Sequence, residues 1–172
     1  MSSLNPDYIT TGRRNWVAAD FGTLGLWQYS DPGGPTNPGV WTNLTGADAD
    51  FVIPADTNGD HLDEIAADFG SLGLWLWDTQ WTQLSGENAE FMVSADVNGD
   101  GRDEIAGDFG SMGLWLWDNG AWLQLTGSNA EYLTAADTNG DGKKEILGDF
   151  GPLGLWMWDQ GNWTILTGSN PD

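Results

Sequence analysis

Asp96-Val-Asn98-Gly-Asp100-Gly-Arg102-Asp-Glu104-Ile-Ala-Gly-Asp108-Phe-Gly-Ser-Met-Gly113-Leu-Trp-Leu-Trp-Asp118 carries the unit from which the chain is built. It holds an acidic loop broken by glycine, a short apolar segment ending in Asp-Phe-Gly, a glycine-rich turn and a second apolar segment. The same order recurs from Asp56 and from Asp137, and residues 96–131 match residues 137–172 at 23 of 36 positions. That many identities mark a tandem duplication.

Phe91-Met-Val-Ser-Ala95 precedes the loop, and Asn119-Gly120 leads into Ala121-Trp-Leu-Gln-Leu-Thr126. Each repeat thus holds four short segments rich in aromatic and branched side chains, bounded by Gly, Asn and Asp. Such segments favour strands and such boundaries favour turns. No window carries an apolar stripe at helical spacing. Four strands in about 41 residues fit a β-propeller blade. The apolar run Leu74-Trp-Leu-Trp77 supports this, because a blade covered on both faces shows no apolar–polar alternation. Tryptophans in register are read first as packing between blades.

The fold expected is all-β: one repeat domain over residues 1–172, with blades at 6–49, 50–89, 90–130 and 131–172. The closing Asn170-Pro-Asp172 matches Asn5-Pro-Asp7, so the end reads in register into the beginning. Either four blades close a small ring, or a second copy completes a larger one.

Composition narrows the partners. Acids outnumber bases 26 to 5, for a net charge of −21, so the clustered Lys and Arg that phosphate binding needs are missing. Nucleic acid and anionic membrane surfaces are excluded on the same ground. Twelve Trp and 40% apolar residues oppose disorder. No apolar run has the roughly 18 residues of a membrane-spanning helix, and Met1-Ser-Ser-Leu-Asn-Pro6 has neither the basic nor the apolar region of a signal peptide. There is no Cys and one His, His61, which removes disulfides, Cys-based zinc sites and most histidine-based catalysis.

The acidic loops read as metal sites. In each, side-chain oxygens fall at positions 1, 3, 5 and 9: Asp56, Asn58, Asp60 and Glu64; Asp96, Asn98, Asp100 and Glu104; Asp137, Asn139, Asp141 and Glu145. The backbone carbonyl at position 7 (Leu62, Arg102, Lys143) adds a ligand that is indifferent to side-chain type. Hard oxygens crowded in one loop suit Ca²⁺, which takes six to eight of them, so about three calcium sites are expected. An EF-hand reading fails, since loop position 12 is Ala67, Gly107 and Gly148 instead of Glu. Position 6 is Gly101 and Gly142 but His61 in the first loop, where a left-handed backbone is expected to weaken the site. Blade one lacks the loop: Thr11-Gly-Arg13-Arg14-Asn15 stands there, with Trp16 in place of the position-9 Glu. Arg13 and Arg14 either replace the missing cation's charge or lie in a shortened turn. Asp31-Pro-Gly-Gly-Pro-Thr-Asn-Pro-Gly39 is an inserted loop.

Asp-x-Asn-Gly-Asp-Gly-x-x-Glu-Ile followed by Gly-Asp-Phe-Gly resembles the FG-GAP, or VCBS-type, repeat of integrin α-subunit propellers, fungal propeller lectins and many secreted bacterial proteins. The resemblance covers nearly all of residues 6–172. It implies a propeller with Ca²⁺ in the loop between the first two strands of each blade, held by the twelve side chains named above. It further implies an extracellular or secreted protein and a glycan or protein ligand. The final ligand is usually Asp in that family but Glu here, and seven blades are common there where this chain has four.

Catalysis finds little support. Asp-Phe-Gly occurs four times without a kinase's lysine strand or phosphate loop, and the paired carboxylates belong to the metal loops. Asp20, Asp68, Asp108 and Asp149 read first as turn-forming residues and second as binding residues. The expected function is a non-catalytic binding module, lectin-like, in which Trp41, Trp81, Trp122 and Trp163 of the outer strands stack on sugar rings. Their competing reading is outer-edge packing. The alternative function is a structural module that self-assembles into a larger ring and so removes exposed sheet edges.

Overall fold

A computed structural model describes residues 6–12, 16–30 and 39–171. The readings of Arg13 and Arg14 and of the 31–38 insertion lie outside the described residues. No helix among the described residues is long and apolar enough to cross a membrane.

Sixteen strands are described, in four sheets. Blade one holds β1 (Tyr8–Gly12), β2 (Trp16–Asp20), β3 (Leu26–Ser30) and β4 (Val40–Thr45). Blade two holds β5 (Phe51–Ala55), β6 (Glu64–Asp68), β7 (Leu74–Asp78) and β8 (Gln80–Ser85). Blade three holds β9 (Phe91–Ala95), β10 (Glu104–Asp108), β11 (Leu114–Asp118) and β12 (Ala121–Thr126). Blade four holds β13 (Tyr132–Ala136), β14 (Glu145–Asp149), β15 (Leu155–Asp159) and β16 (Asn162–Thr167). Every sheet is an antiparallel meander in sequence order.

The turns follow the chemistry of their residues. Asn119 and Gly120 (φ 44° and 92°), like Gln160 and Gly161 (φ 45° and 95°), take the left-handed backbone that two-residue hairpins use to match strand twist. Between the second and third strands lies a one-turn 3₁₀ segment, such as Gly110–Met112. It ends on Gly113, whose φ is 79° and where a Cβ would sit 2.2 Å from the Thr126 carbonyl oxygen. In all four blades the pairing of third and fourth strands slips after its first residue, as between Leu114–Thr126 and Trp115–Gln124. This bulge bends the edge strand and re-aims its side chains.

By contact the chain divides into Met1–Pro54 with His61–Asn88, and Ala55–Asp60 with Ala89–Asp172. Each unit has its own core. In the first, Ala18 and Leu26 of blade one cluster with Val52, Ile65, Ala67 and Phe69 of blade two. In the second, Ala106, Leu114 and Leu116 of blade three cluster with Leu133, Ile146, Phe150 and Trp158 of blade four. Both contacts use equivalent positions: second- and third-strand residues of one blade meet the first strand, second strand and Phe of the next. Each fully buried Leu or Ile contributes about 1.5–3 kcal/mol. All five residues of β6 and of β10 are buried, whereas in the apolar run Leu74–Trp77 of β7 only Leu74 is buried and the rest are half-buried.

Candidate functional site: acidic loops and tryptophan-lined cavities

The acidic loops fold around their own side chains. Asp96 accepts hydrogen bonds from the Gly99 and Gly101 amides (2.6 and 2.9 Å), and Asn98 Oδ1 from the Asp100 amide (2.8 Å). Asp100 accepts from the Arg102 amide (2.9 Å). Glu104, buried at the strand start, accepts from the Val97 amide (2.8 Å) and from Asn98 Nδ2 (2.7 Å). Loop three repeats this: Asp137 accepts from Gly140 and Gly142, Asn139 from Asp141, Asp141 from Lys143, and Glu145 from Thr138 and Asn139. In loop one, Asp56 accepts from Gly59 (2.8 Å) and Asn58 from Asp60 (2.9 Å). Asp56 and Glu64 are buried, Asn58 and Asp60 exposed, and Leu62, Arg102 and Lys143 half-buried.

Asp137, Asp141 and Glu145 each bring a carboxylate oxygen within 4.8 Å of the others. Glu145 Oε2 accepts from both the amide and the hydroxyl of Thr138, while its Oε1 accepts only from Asn139 and keeps a lone pair; the donor set is all hard oxygen and fits Ca²⁺. The Gly140 amide, opposed only by partial desolvation, holds the Asp137 carboxyl below its usual range. Burial pushes Glu104 up to about 7, and the charges of Asp118, Asp100 and Asp96 push the same way.

The first loop follows the expectation at its position 6. His61 has φ 66°, matching the left-handed Gly101 and Gly142 (87° and 88°), so the first loop carries local backbone strain. Position 8 of the loop, Asp103 in the second and Lys144 in the third, laces loops together. The Asp103 amide donates to the Asp56 carbonyl (2.7 Å), and the Asp103 carboxylate accepts from the Asp56 amide (3.0 Å). The Lys144 amide likewise donates to the Asp96 carbonyl (2.9 Å). In blade one, buried Trp16 occupies the Glu position and donates its indole N–H to the Asp63 carbonyl (3.3 Å).

The aspartates of Asp-Phe-Gly tie the turns. Asp20 accepts from the Gly22 and Ala49 amides (3.0 and 3.3 Å), Asp68 from Gly70 (2.8 Å), and Asp149 from Gly151 (2.9 Å). Burial, together with its hydrogen bond to Asp48, raises the Asp20 carboxyl. Asp108 is fully buried; its Oδ2 accepts from the Ala130 amide (2.9 Å), while its Oδ1 makes no hydrogen bond. Burial pushes it up to about 6, against the Ala130 amide and with help from the Glu90 charge. A carboxyl whose folded pKa lies above its unfolded value costs stability as pH rises through that window and costs nothing below the unfolded pKa. Asp108→Asn is therefore expected to stabilise the protein by ~1–3 kcal/mol at pH 8 and negligibly at pH 4, measured by denaturant melts at both pH values. Equal effects at both would show that charge is not the cause.

Each unit also holds a cavity, and the two are equivalent. One, of about 280 Å³, is lined by Thr126, Ser128, Phe150, Leu153, Trp156 and Trp163. The other, of about 200 Å³, is lined by Thr45, Ala47, Phe69, Leu72, Trp75 and Trp81. The Phe of Asp-Phe-Gly meets the outer-strand Trp edge-on: Phe150–Trp163 at 5.6 Å and Phe69–Trp81 at 5.3 Å, both at 78°. All four indole N–H groups go to backbone carbonyls: Trp163 to Leu125, Trp81 to Leu44 (3.1 Å each), Trp156 to Leu153 and Trp75 to Leu72 (2.8 Å each). The rings are thus fixed and present apolar faces to the cavity. The polar lining is hydroxyl, from Thr45, Thr126 and Ser128.

Trp81 and Trp163 are where the sequence placed candidate binding residues. Trp122 makes the same edge contact with Phe109 (5.4 Å), and Trp41 lies between Phe21 and Tyr29 at 5.8 and 5.3 Å. Trp75 and Trp156, read from sequence as packing residues, line the cavities too. The signal that could have found them is the Thr–x–Ser/Ala spacing at the end of the preceding blade, which recurs in step with them.

No protein-family model matches the chain, and no curated protein matches it. Among solved structures, it is similar to a lectin of Agrocybe aegerita, studied for its specific recognition of non-reducing terminal N-acetylglucosamine. The TM-score is 0.65 at 18% identity, over 94% of this chain and 52% of the lectin, so this chain spans about half that lectin's length. The likeness carries the fold. With four four-stranded meanders in tandem, the chain is all-β and carries four blades of the β-propeller type.

Proposed function

We propose that this propeller is a non-catalytic carbohydrate-binding module, with calcium-stabilised loops of the FG-GAP type, acting outside the cell. The observation that carries the reading is the repeated cavity: two fixed indoles, a Phe and one or two hydroxyls, built the same way in both units. Aromatic faces suit the C–H faces of a pyranose, and hydroxyls suit its polar edge. At 200–280 Å³ the cavities lie just below the roughly 300–1,000 Å³ of small-molecule sites, which fits one sugar residue better than a long chain. Repetition favours weak sites acting together by avidity. The likeness to a lectin fold supports the class of ligand. Loops rich in carboxylates and open to solvent suit the millimolar calcium of extracellular modules, for which dissociation constants run about 10⁻⁴–10⁻³ M.

A glycan array read with calcium and again with chelator tests this. Binding to a family of glycans sharing one terminal residue is expected, with terminal N-acetylglucosamine as the first probe. No glycan bound in calcium would defeat the reading.

A further inference from the structure

The two cavities share a frame and differ at one acceptor. In every blade the last residue of the 3₁₀ turn offers its carbonyl to the indole N–H of the tryptophan three residues on. Leu24 accepts from Trp27 (2.9 Å), Leu72 from Trp75 (2.8 Å), Met112 from Trp115 (2.9 Å) and Leu153 from Trp156 (2.8 Å). In blades one, two and three a side-chain amide of the outer strand donates to the same oxygen: Asn43 to Leu24 (3.5 Å), Gln83 to Leu72 (3.1 Å) and Gln124 to Met112 (3.0 Å). Each amide stands directly opposite its tryptophan in the strand pairing: Asn43 by Trp27, Gln83 by Trp75 and Gln124 by Trp115. The residue opposite Trp156 is Ile165, which has no donor to give.

A carbonyl oxygen has two lone pairs. The Leu72 oxygen uses both, on Trp75 and Gln83. Among the described residues the Leu153 oxygen receives only the Trp156 indole, so one acceptor position stays open. Leu153 and Trp156 both line the larger cavity, which sets this acceptor in its wall. Ile165 is 49% exposed. Directly paired residues of antiparallel strands carry their side chains on one face, about 5 Å apart. The open acceptor therefore has an exposed, branched apolar side chain beside it, where the Trp75 cavity has an amide already bound.

We infer that the Trp156 cavity selects a sugar bearing an acylamino group, and that Ile165 is the residue that sets this preference. The N–H of the group donates to the open Leu153 carbonyl, and its acyl methyl packs on Ile165. A ring hydroxyl meets the carbonyl but leaves the isoleucine bare. A protonated amino sugar sets its charge against that apolar side chain, at a cost in desolvation. The Trp75 cavity, its acceptor filled by Gln83, takes pyranoses without this preference. That cavity also has Ala47 where the larger one has Ser128, so overall affinities differ for a second reason. The ratio of two sugars at one cavity separates the acceptor from the hydroxyl. The inference rests on the carbohydrate-binding reading.

Calorimetric titration with N-acetylglucosamine and with glucose tests it. Trp75→Ala leaves the Trp156 cavity to be read alone, and Trp156→Ala leaves the Trp75 cavity. The ratio of N-acetylglucosamine to glucose affinity is expected to be about tenfold larger at the Trp156 cavity, as one added hydrogen bond and a buried methyl would give. Ile165→Gln, made beside Trp75→Ala, supplies the missing amide and is expected to remove that excess. Gln83→Ile, made beside Trp156→Ala, opens the Leu72 carbonyl and is expected to raise the ratio at the Trp75 cavity by about as much, a gain that misfolding cannot produce. Both positions lie on exposed parts of outer strands, so circular dichroism should not change. Equal ratios at the two cavities, or a ratio that either exchange leaves unmoved, overturn the inference and leave the carbohydrate reading standing. No heat with either sugar at either cavity overturns both.

Discussion

In calcium at a hundred times its dissociation constant, the protein is expected to melt about 5–10 °C higher for each occupied loop than in chelator. The figure follows from ~2.7 kcal/mol of linkage per site and about 2–4 °C per kcal/mol for a chain of this size. Its structural basis is the crowding of the loop carboxylates, with Asp137, Asp141 and Glu145 oxygens within 4.8 Å of one another. Bound calcium would supply the positive charge that lets such groups stay ionised side by side. Eleven of the 26 acids lie in the three loops, and three bound ions would bring the net charge from −21 to −15. The pH profile should change as well. Without the ion, Glu104 at about 7 and Asp108 at about 6 both lie above their unfolded values, so stability falls as pH rises through that range. With calcium the Glu104 part of that fall should vanish. Differential scanning calorimetry at pH 5 and pH 8, with and without calcium, reads both effects. A midpoint that ignores millimolar calcium would remove the metal from the account.

Trp156→Ala is expected to weaken sugar binding at the larger cavity by about 10- to 100-fold. Removing an aromatic face that buries ~100 Å² of ligand costs roughly 2.5 kcal/mol at 25 cal/mol per Å². The ring is half-buried and its N–H serves only the Leu153 carbonyl, so the fold should lose little. The equivalent cavity around Trp75 is untouched, so calorimetry should show one strong site fewer per chain and the other unchanged. Trp156→Phe should recover part of the loss. An unchanged isotherm would make Trp156 a packing residue, as its sequence context suggested.

That case shows where the sequence stopped being readable. Four blades of four strands were legible because the chain states them four times, and the acidic loops because three copies in register leave little room for chance. The cavities were half legible. Trp81 and Trp163 stand out as large side chains on outer strands, whereas Trp75 and Trp156 sit in runs apolar on both faces, where packing and binding look alike. What separates them is the gap left between one blade's Thr126 and the next blade's Phe150, and that gap depends on the bulge after Leu155 and the turn ending on Gly154. The lacing of loops by Asp103 and Lys144 was hidden for another reason: both act largely through backbone amides, which the side-chain types Asp and Lys do not reveal.

The repeated tryptophan-lined cavities are the proposed sugar sites. Calorimetric titration of the protein in calcium with an N-acetylglucosamine-terminated glycan, beside the Trp75→Ala/Trp156→Ala double variant, decides this. Saturable binding to at least two sites per chain, with the sites at these two cavities lost in the variant, is the predicted result. Binding that the double variant retains in full, or a wild type that binds no terminal sugar at all, would contradict it.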